Sequence, residues 1–129
     1  MIYYLDTSVA LQAVLGGPER DRLIAWLTNR TLISSRLFRT ELIRGLRREN
    51  KPLSDGYWLF DRVGLIDITR QTHLRAEAIE RHVKTLDALH LATALGLNFP
   101  ITIATHDENM RQSAEALGFA TVDPVSQRD

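Results

Sequence analysis

The sequence predicts an α/β fold of three layers, with a mostly parallel central sheet between two layers of helices. Two observations carry this. Short runs rich in strand formers, Ile2–Leu5, Thr31–Ser35 and Ile101–Thr105, alternate with segments of helical periodicity along the whole chain. That alternation builds a parallel sheet whose helical crossovers cover both faces. The second observation is Thr85–Gly96, a helix apolar on nearly every side except for a thin stripe of Asp87, His90 and Thr93. A helix that is apolar all round belongs inside a layered core. With 129 residues the chain makes one domain, spanning 1–129.

The elements follow in order. Ile2–Leu5 reads as a first strand ending at Asp6-Thr7-Ser8, a cluster of helix-capping residue types. Val9, Ala10, Ala13 and Val14 give a short helix stopped by Gly16-Gly17. Pro18 opens the next helix, whose apolar residues are Leu23, Ile24, Trp26 and Leu27. Thr31–Ser35 is a second strand, followed by a helix over Arg36–Arg48 with Leu37, Phe38, Glu41, Leu42, Gly45 and Leu46 inward. Gly45 weakens such a helix by roughly 1 kcal/mol relative to alanine; its expected role is to leave room near Glu41. Pro52–Val63 reads as helical, Gly64–Ile68 as a strand, and Arg70–Val83 as a charged helix with Leu74, Ala78 and Ile79 inward. After the buried helix, Phe99-Pro100 breaks the pattern and Ile101–Thr105 forms a strand ending at His106-Asp107. A helix over Asp107–Leu117 buries Met110, Ala114 and Leu117. Phe119–Val122 is a last strand, and the tail after Asp123 is expected to fray.

Composition narrows the function. Cysteine is absent, which excludes thiolate chemistry and fits a reducing compartment such as the cytoplasm. The start MIYYLDTS does not read as a signal peptide, and no apolar run approaches transmembrane length. The 16 basic and 16 acidic residues cancel, which argues against blanket attraction to nucleic acid and leaves local patches open.

Four acids stand where a site would form. Asp6 and Asp107 follow strands, and ligand sites in open parallel sheets lie beyond the carboxyl ends of strands. Asp87 opens the buried helix, where a carboxylate is costly without a positive partner, and the nearest cation, Lys84, precedes it. Glu41 lies in mid-helix beside the apolar face. Carboxylates brought together raise one another's pKa, and a divalent cation removes the conflict. Hard oxygen ligands without Cys favour Mg²⁺ or Mn²⁺ over Zn²⁺. Each aspartate has a plainer reading as a helix N-cap. Glu41 cannot cap its own helix, but it has a plainer reading as a partner of Arg44 at i+3. On spacing alone the two readings stand about even.

The chain resembles the PIN domain, and within it the VapC-like toxins of bacterial type II toxin–antitoxin modules. The matching pieces are the strand ending in LDTS, the TELIRGLRR helix, LDALHLATA, and ITIATHDENMRQSAEALGF, in the family's order over almost the whole chain. The resemblance implies a metal-dependent endoribonuclease of PIN-like fold. Its metal-binding acids fall on Asp6, Glu41, Asp87 and Asp107, with Asp6 and Asp87 foremost. Thr105 matches a hydroxyl residue that supports the last acid, and Thr7 and Ser8 occupy small polar positions after the first. The resemblance also implies Mg²⁺ or Mn²⁺ as cofactor and an RNA substrate cut to 5′-phosphate and 3′-hydroxyl ends. The partner it implies is a cognate antitoxin, and a homodimer is expected as well.

Other polar residues are weaker candidates. With no Cys and no His-x-x-x-His pair, His90 and His106 are not read as zinc ligands, and neither receives a chemical role. Thr93 is expected to bond to backbone. Residues 30 to 51 hold seven basic side chains against two acids, and Arg39, Arg44, Arg47 and Arg48 are the expected contacts to RNA phosphates. Tyr57-Trp58-Leu59-Phe60 cannot be buried on one helix face, so at least one is expected at the surface or an interface. This helix and the Arg36–Arg48 helix are expected to form the groove for an antitoxin segment. Two rival functions remain: an RNA- or partner-binding module without turnover, and a Mg²⁺-binding receiver domain. The receiver would need paired acids after the first strand, where only Asp6 stands.

Overall fold

The computed structural model describes residues 1–126. Its sheet has five strands in the order β3-β2-β1-β4-β5, every neighbouring pair parallel. The strands are β1 (Ile2–Leu5), β2 (Thr31–Ser35), β3 (Val63–Ile66), β4 (Thr102–Ala104) and β5 (Ala120–Val122). The helices are α1 (Thr7–Leu15), α2 (Arg20–Thr28), α3 (Leu37–Arg48), α4 (Tyr57–Phe60), α5 (Arg70–Glu77), α6 (Thr85–Leu95) and α7 (Glu108–Ala116).

Alternation along the central strands feeds two cores, one on each face. Leu5 and Ala104 join the cluster of Val9, Ala13, Leu23, Phe38, Leu42 and Leu59 from α1, α2, α3 and α4. Tyr4 and Ile103 join Leu91, Ala94, Met110 and Ala114 from α6 and α7. Successive strand residues point to opposite faces, so neighbours such as Tyr4 and Leu5 serve different layers. Fully burying a side chain such as Leu91 is worth about 1.5–3 kcal/mol, and Leu91 is inaccessible to solvent. This is the expected three-layer architecture.

The order of the strands locates the crevice. From β1 the chain winds outward through β2 and β3, then returns to place β4 and β5 on the other side of β1. The direction of winding therefore reverses between β1 and β4, and a crevice opens beyond their carboxyl ends. The Asp6 N–H bonds to Ala104 O at 3.0 Å, holding the two strand ends together at that point.

Several expected elements are corrected. The Pro52–Val63 segment is a 3-10 turn over Leu53–Gly56 followed by the single turn α4, and Val63 already belongs to β3. The α5 helix ends at Glu77 instead of Val83, and Leu74 is 50% exposed. Beyond it Ile79 and Val83 leave helical geometry and pack on the Tyr4–Leu91 cluster, tertiary contact overriding local propensity. Leu117 is the cap residue of α7 and only partly buried. Of the tail expected to fray, Pro124 is buried and Ser126 N–H bonds back to Asp123 O; the part from 127 on lies outside the described residues.

Gly45 makes room for a different neighbour from the one expected. A Cβ at that position would stand 2.3 Å from Leu11 Cδ2, so the missing side chain lets α1 approach α3. Gly45→Ala gains about 1 kcal/mol of helix propensity but overpacks the contact by about 1–3 kcal/mol. The expected net result is a lower urea midpoint, restored in Gly45→Ala/Leu11→Ala. A rise in the midpoint of the single variant would show that Leu11 yields freely.

Candidate metal centre

The crevice holds all four acids. A cavity of about 510 Å³ is lined by Asp6, Glu41, Asp87 and Asp107, with Thr7 and Ser8 beside Asp6. The cations Arg44, Arg48 and Lys84 complete its wall with Leu11, Leu37, Thr40 and Leu86. Arg44 and Arg48 lie three and seven residues beyond Glu41, on the same face of α3. Arg39 and Arg47 are not in this wall; the Arg39 guanidinium stacks 4.6 Å from the Phe60 ring centroid.

Each acid is set by its own element. Asp6 occupies the N-cap position of α1, but its side chain makes no cap bond. Instead Oδ2 accepts from Ser8 Oγ at 2.8 Å and from Thr105 Oγ1 at 2.7 Å. Oδ1 has no hydrogen-bond partner among the described residues. Asp87 is not a cap either, because Lys84 holds that position of α6. Asp107 does cap: its Oδ1 accepts from Met110 N–H at 2.9 Å. The capping account thus holds for one aspartate of three. Thr105 does more than support the last acid, since its hydroxyl donates to Asp6 and accepts from Asp107 N–H at 3.0 Å.

Glu41 is held by His90. Its Oε1 accepts from Thr7 Oγ1 at 2.8 Å and from His90 Nε2 at 2.6 Å. In place of the plainer pairing with Arg44, the acid takes a ring partner 49 residues away. His90 is buried, at 2% exposure, and its Nδ1 lies 2.8 Å from the Tyr4 hydroxyl. Sequence reasoning missed this partner. The one available signal was a titratable ring on the polar stripe of an otherwise apolar helix. Thr93 on that stripe bonds to Leu89 O, as expected.

The electrostatics divide the acids. Burial raises the Asp87 pKa, the charges of Asp6 and Asp107 and, least, Glu41 add to the rise, and His90 opposes it in part. Glu41 goes the other way. Burial pushes its pKa up, but the His90 hydrogen bond and charge and the Thr7 hydroxyl together bring it below the ordinary value. The rise expected on balance from crowded carboxylates does not extend to Glu41, and the reason is the His90 contact.

The site's chemistry fits a hard divalent cation. The candidate ligands are all oxygens, and Asp87 carries a like-charge conflict that a cation relieves. Among the described residues no three acidic or histidine side chains are gathered tightly enough to hold an ion by themselves. Mg²⁺ does not require that, because it keeps several waters and takes one or two carboxylates.

The comparisons agree with this architecture. The PIN domain family matches residues 3–116, so the chain belongs to that family. It is 31% identical over 125 residues to Ribonuclease VapC46 of Mycobacterium tuberculosis, covering 94% of this chain and 96% of the relative. It is 34% identical over 135 residues to Ribonuclease VapC35 of the same species, covering 97% and 98%. Among solved structures, VapBC2 from Rickettsia felis bound to a promoter DNA fragment aligns with TM-score 0.67 at 18% identity, over 95% of this chain and 98% of that one. A toxin–antitoxin complex from Klebsiella pneumoniae aligns with TM-score 0.69 at 19% identity, over 95% and 97%. At those identities the structures speak to the fold alone.

Proposed function

We propose that the chain is a metal-dependent endoribonuclease and the toxin of a toxin–antitoxin pair. The observation that carries the proposal is the convergence of Asp6, Glu41, Asp87 and Asp107 on one cavity at the point where the sheet's winding reverses. The relatives named as ribonucleases, matched over nearly their whole length, support RNA as the substrate. Mg²⁺ is the ion proposed, with Mn²⁺ able to replace it. Asp6 would hold the ion through Oδ1, because Ser8 and Thr105 restrain Oδ2. Asp87 and Asp107 would face it from α6 and the α7 cap, and Glu41 would orient the attacking water. The chemistry supplied by such an ion is a water acidified to a nucleophile and a phosphate relieved of charge.

The test uses a synthetic single-stranded RNA. The purified chain should cut it with Mg²⁺ or Mn²⁺, leave 5′-phosphate ends, and stop in chelator. Cutting in chelator at the same rate would contradict the proposal. A binding module without turnover would retain the RNA uncut under both conditions. The receiver alternative finds no support at β1, where Thr7 and Ser8 follow Asp6 and no second acid stands.

The RNA contacts proposed are Arg44, Arg48 and Lys84, because these three cations line the cavity. Each phosphate contact to a single strand contributes about 0.7 to the slope of log affinity against log salt. Arg44→Gln/Arg48→Gln should therefore flatten that slope by about 1.4 in chelator, and Arg39→Gln/Arg47→Gln should leave it as it is. The reverse ranking would place the RNA on the other side of α3.

The partner surfaces are proposed for α3 and α4. Tyr57 is 57% exposed while Leu59 is buried, so the aromatic run divides between surface and core. An antitoxin segment and a second copy of the chain are the proposed occupants of that region. Trp58→Ala should weaken antitoxin binding or dimerisation, and no change in either would remove the surface from consideration. No helix among the described residues is long and apolar enough to cross a membrane. The cytoplasm is the proposed location.

A further inference from the structure

We infer that His90 is the positioning residue of the site: anchored on Tyr4 from behind, its Nε2–H fixes Glu41 Oε1 and leaves Glu41 Oε2 to face the acid-lined cavity. The inference rests on the metal-dependent reading above. A carboxylate is an acceptor only, so the 2.6 Å contact requires the proton on Nε2. The other ring nitrogen, Nδ1, lies 2.8 Å from the Tyr4 hydroxyl, which serves a neutral ring as donor and a protonated one as acceptor. Burial keeps that phenol protonated, so it is available in either role. Ser35 Oγ stands 3.4 Å from the same Nδ1 and Thr7 Oγ1 donates to the same Glu41 oxygen, so the pair is clamped from both ends. The Tyr4 ring meets the imidazole edge-on at 81° with 5.8 Å between centroids, which limits the ring's freedom to turn.

The chain Tyr4–His90–Glu41 runs from β1 through α6 to α3. A merely structural histidine would satisfy its nitrogens without consequence for the cavity. Here one nitrogen ends on an acid that lines it. Partners of this kind typically change metal affinity by 10–100-fold when removed.

The test separates positioning from packing. His90→Phe keeps a buried ring and removes both hydrogen bonds, while His90→Gln returns a donor near the Nε2 position. Calorimetric titration with Mn²⁺ should find affinity about tenfold or more weaker in His90→Phe and mostly recovered in His90→Gln. In a Glu41→Ala background, His90→Phe should cost nothing further, because the interaction it removes is already gone. In metal-free protein, nuclear magnetic resonance should find a protected His90 ring proton on Nε2 that shifts in Glu41→Ala. The inference is overturned if His90→Phe binds Mn²⁺ like wild type, or if His90→Phe weakens it equally with and without Glu41. A ring proton confined to Nδ1 overturns it as well. Failure of the wild-type protein to bind Mn²⁺ overturns the metal reading itself, and is distinct from wild-type binding that ignores His90.

Discussion

Asp6→Asn and Asp87→Asn should each lower the rate of RNA cleavage by about 10²–10³-fold, the loss typical of removing one preorganised group that stabilises developing charge. Neither should unfold the protein. Asn at position 6 retains an oxygen that can accept from Ser8 and Thr105, so the strand-end network survives while the charge is lost. Asn at position 87 removes the acid that suffers from its neighbours. The loss should fall on kcat, because the proposed ion would act on the reacting phosphate and not on the remote RNA contacts. Gel assays at saturating RNA, with circular dichroism to follow the fold, measure both. Asp107→Asn should be milder in stability terms, since Asn caps a helix about as well as Asp. Wild-type cleavage by either Asp6→Asn or Asp87→Asn would remove the acids from the mechanism.

The second large effect is on stability, and its sign differs between acids. Asp87 has a raised folded pKa, so its contribution is fully present below its unfolded value and is lost as pH rises through the folded value. Glu41 has a lowered folded pKa, so its contribution is present above the unfolded value and is lost as pH falls through the folded one. The two trends oppose each other in the wild-type protein, and single variants separate them. In chelator, Asp87→Asn should melt higher than wild type at pH 7, with the gap closing in acid. Glu41→Gln should melt lower at pH 7, and that gap too should close in acid. Mg²⁺ at a hundredfold excess over its dissociation constant should stabilise the wild-type protein by about 2.7 kcal/mol and Asp87→Asn by much less. Equal Mg²⁺ responses in the two proteins would mean that the ion, if it binds, binds elsewhere.

The sequence carried the sheet, and with it most of the site. Strand ends follow from alternation, so Asp6 and Asp107 were legible as crevice residues. Asp87 stood out as an acid in an apolar helix, and Glu41 as one that cannot cap. What sequence could not supply was long-range pairing. The His90–Glu41 contact joins residues 49 apart, and no local pattern encodes it. The same limit hid the Gly45–Leu11 approach, because a missing side chain says that something comes close without saying what. The premature end of α5 has a similar cause: Ile79 and Val83 fit helical spacing but are drawn to a core that forms only when α6 and α7 are in place. Even the basic face of α3 divides by its neighbours, with Arg44 and Arg48 on the cavity and Arg39 over Phe60.

The proposal stands on these acids binding divalent metal together. Its most direct test is a titration of metal-free protein with Mn²⁺, read by the electron paramagnetic resonance of the free ion, for wild type, Asp6→Asn and Asp87→Asn. The account predicts saturable binding to the wild-type chain, weakened about tenfold or more in each variant, as loss of a charged ligand requires. Binding of equal affinity and stoichiometry in all three proteins would contradict it.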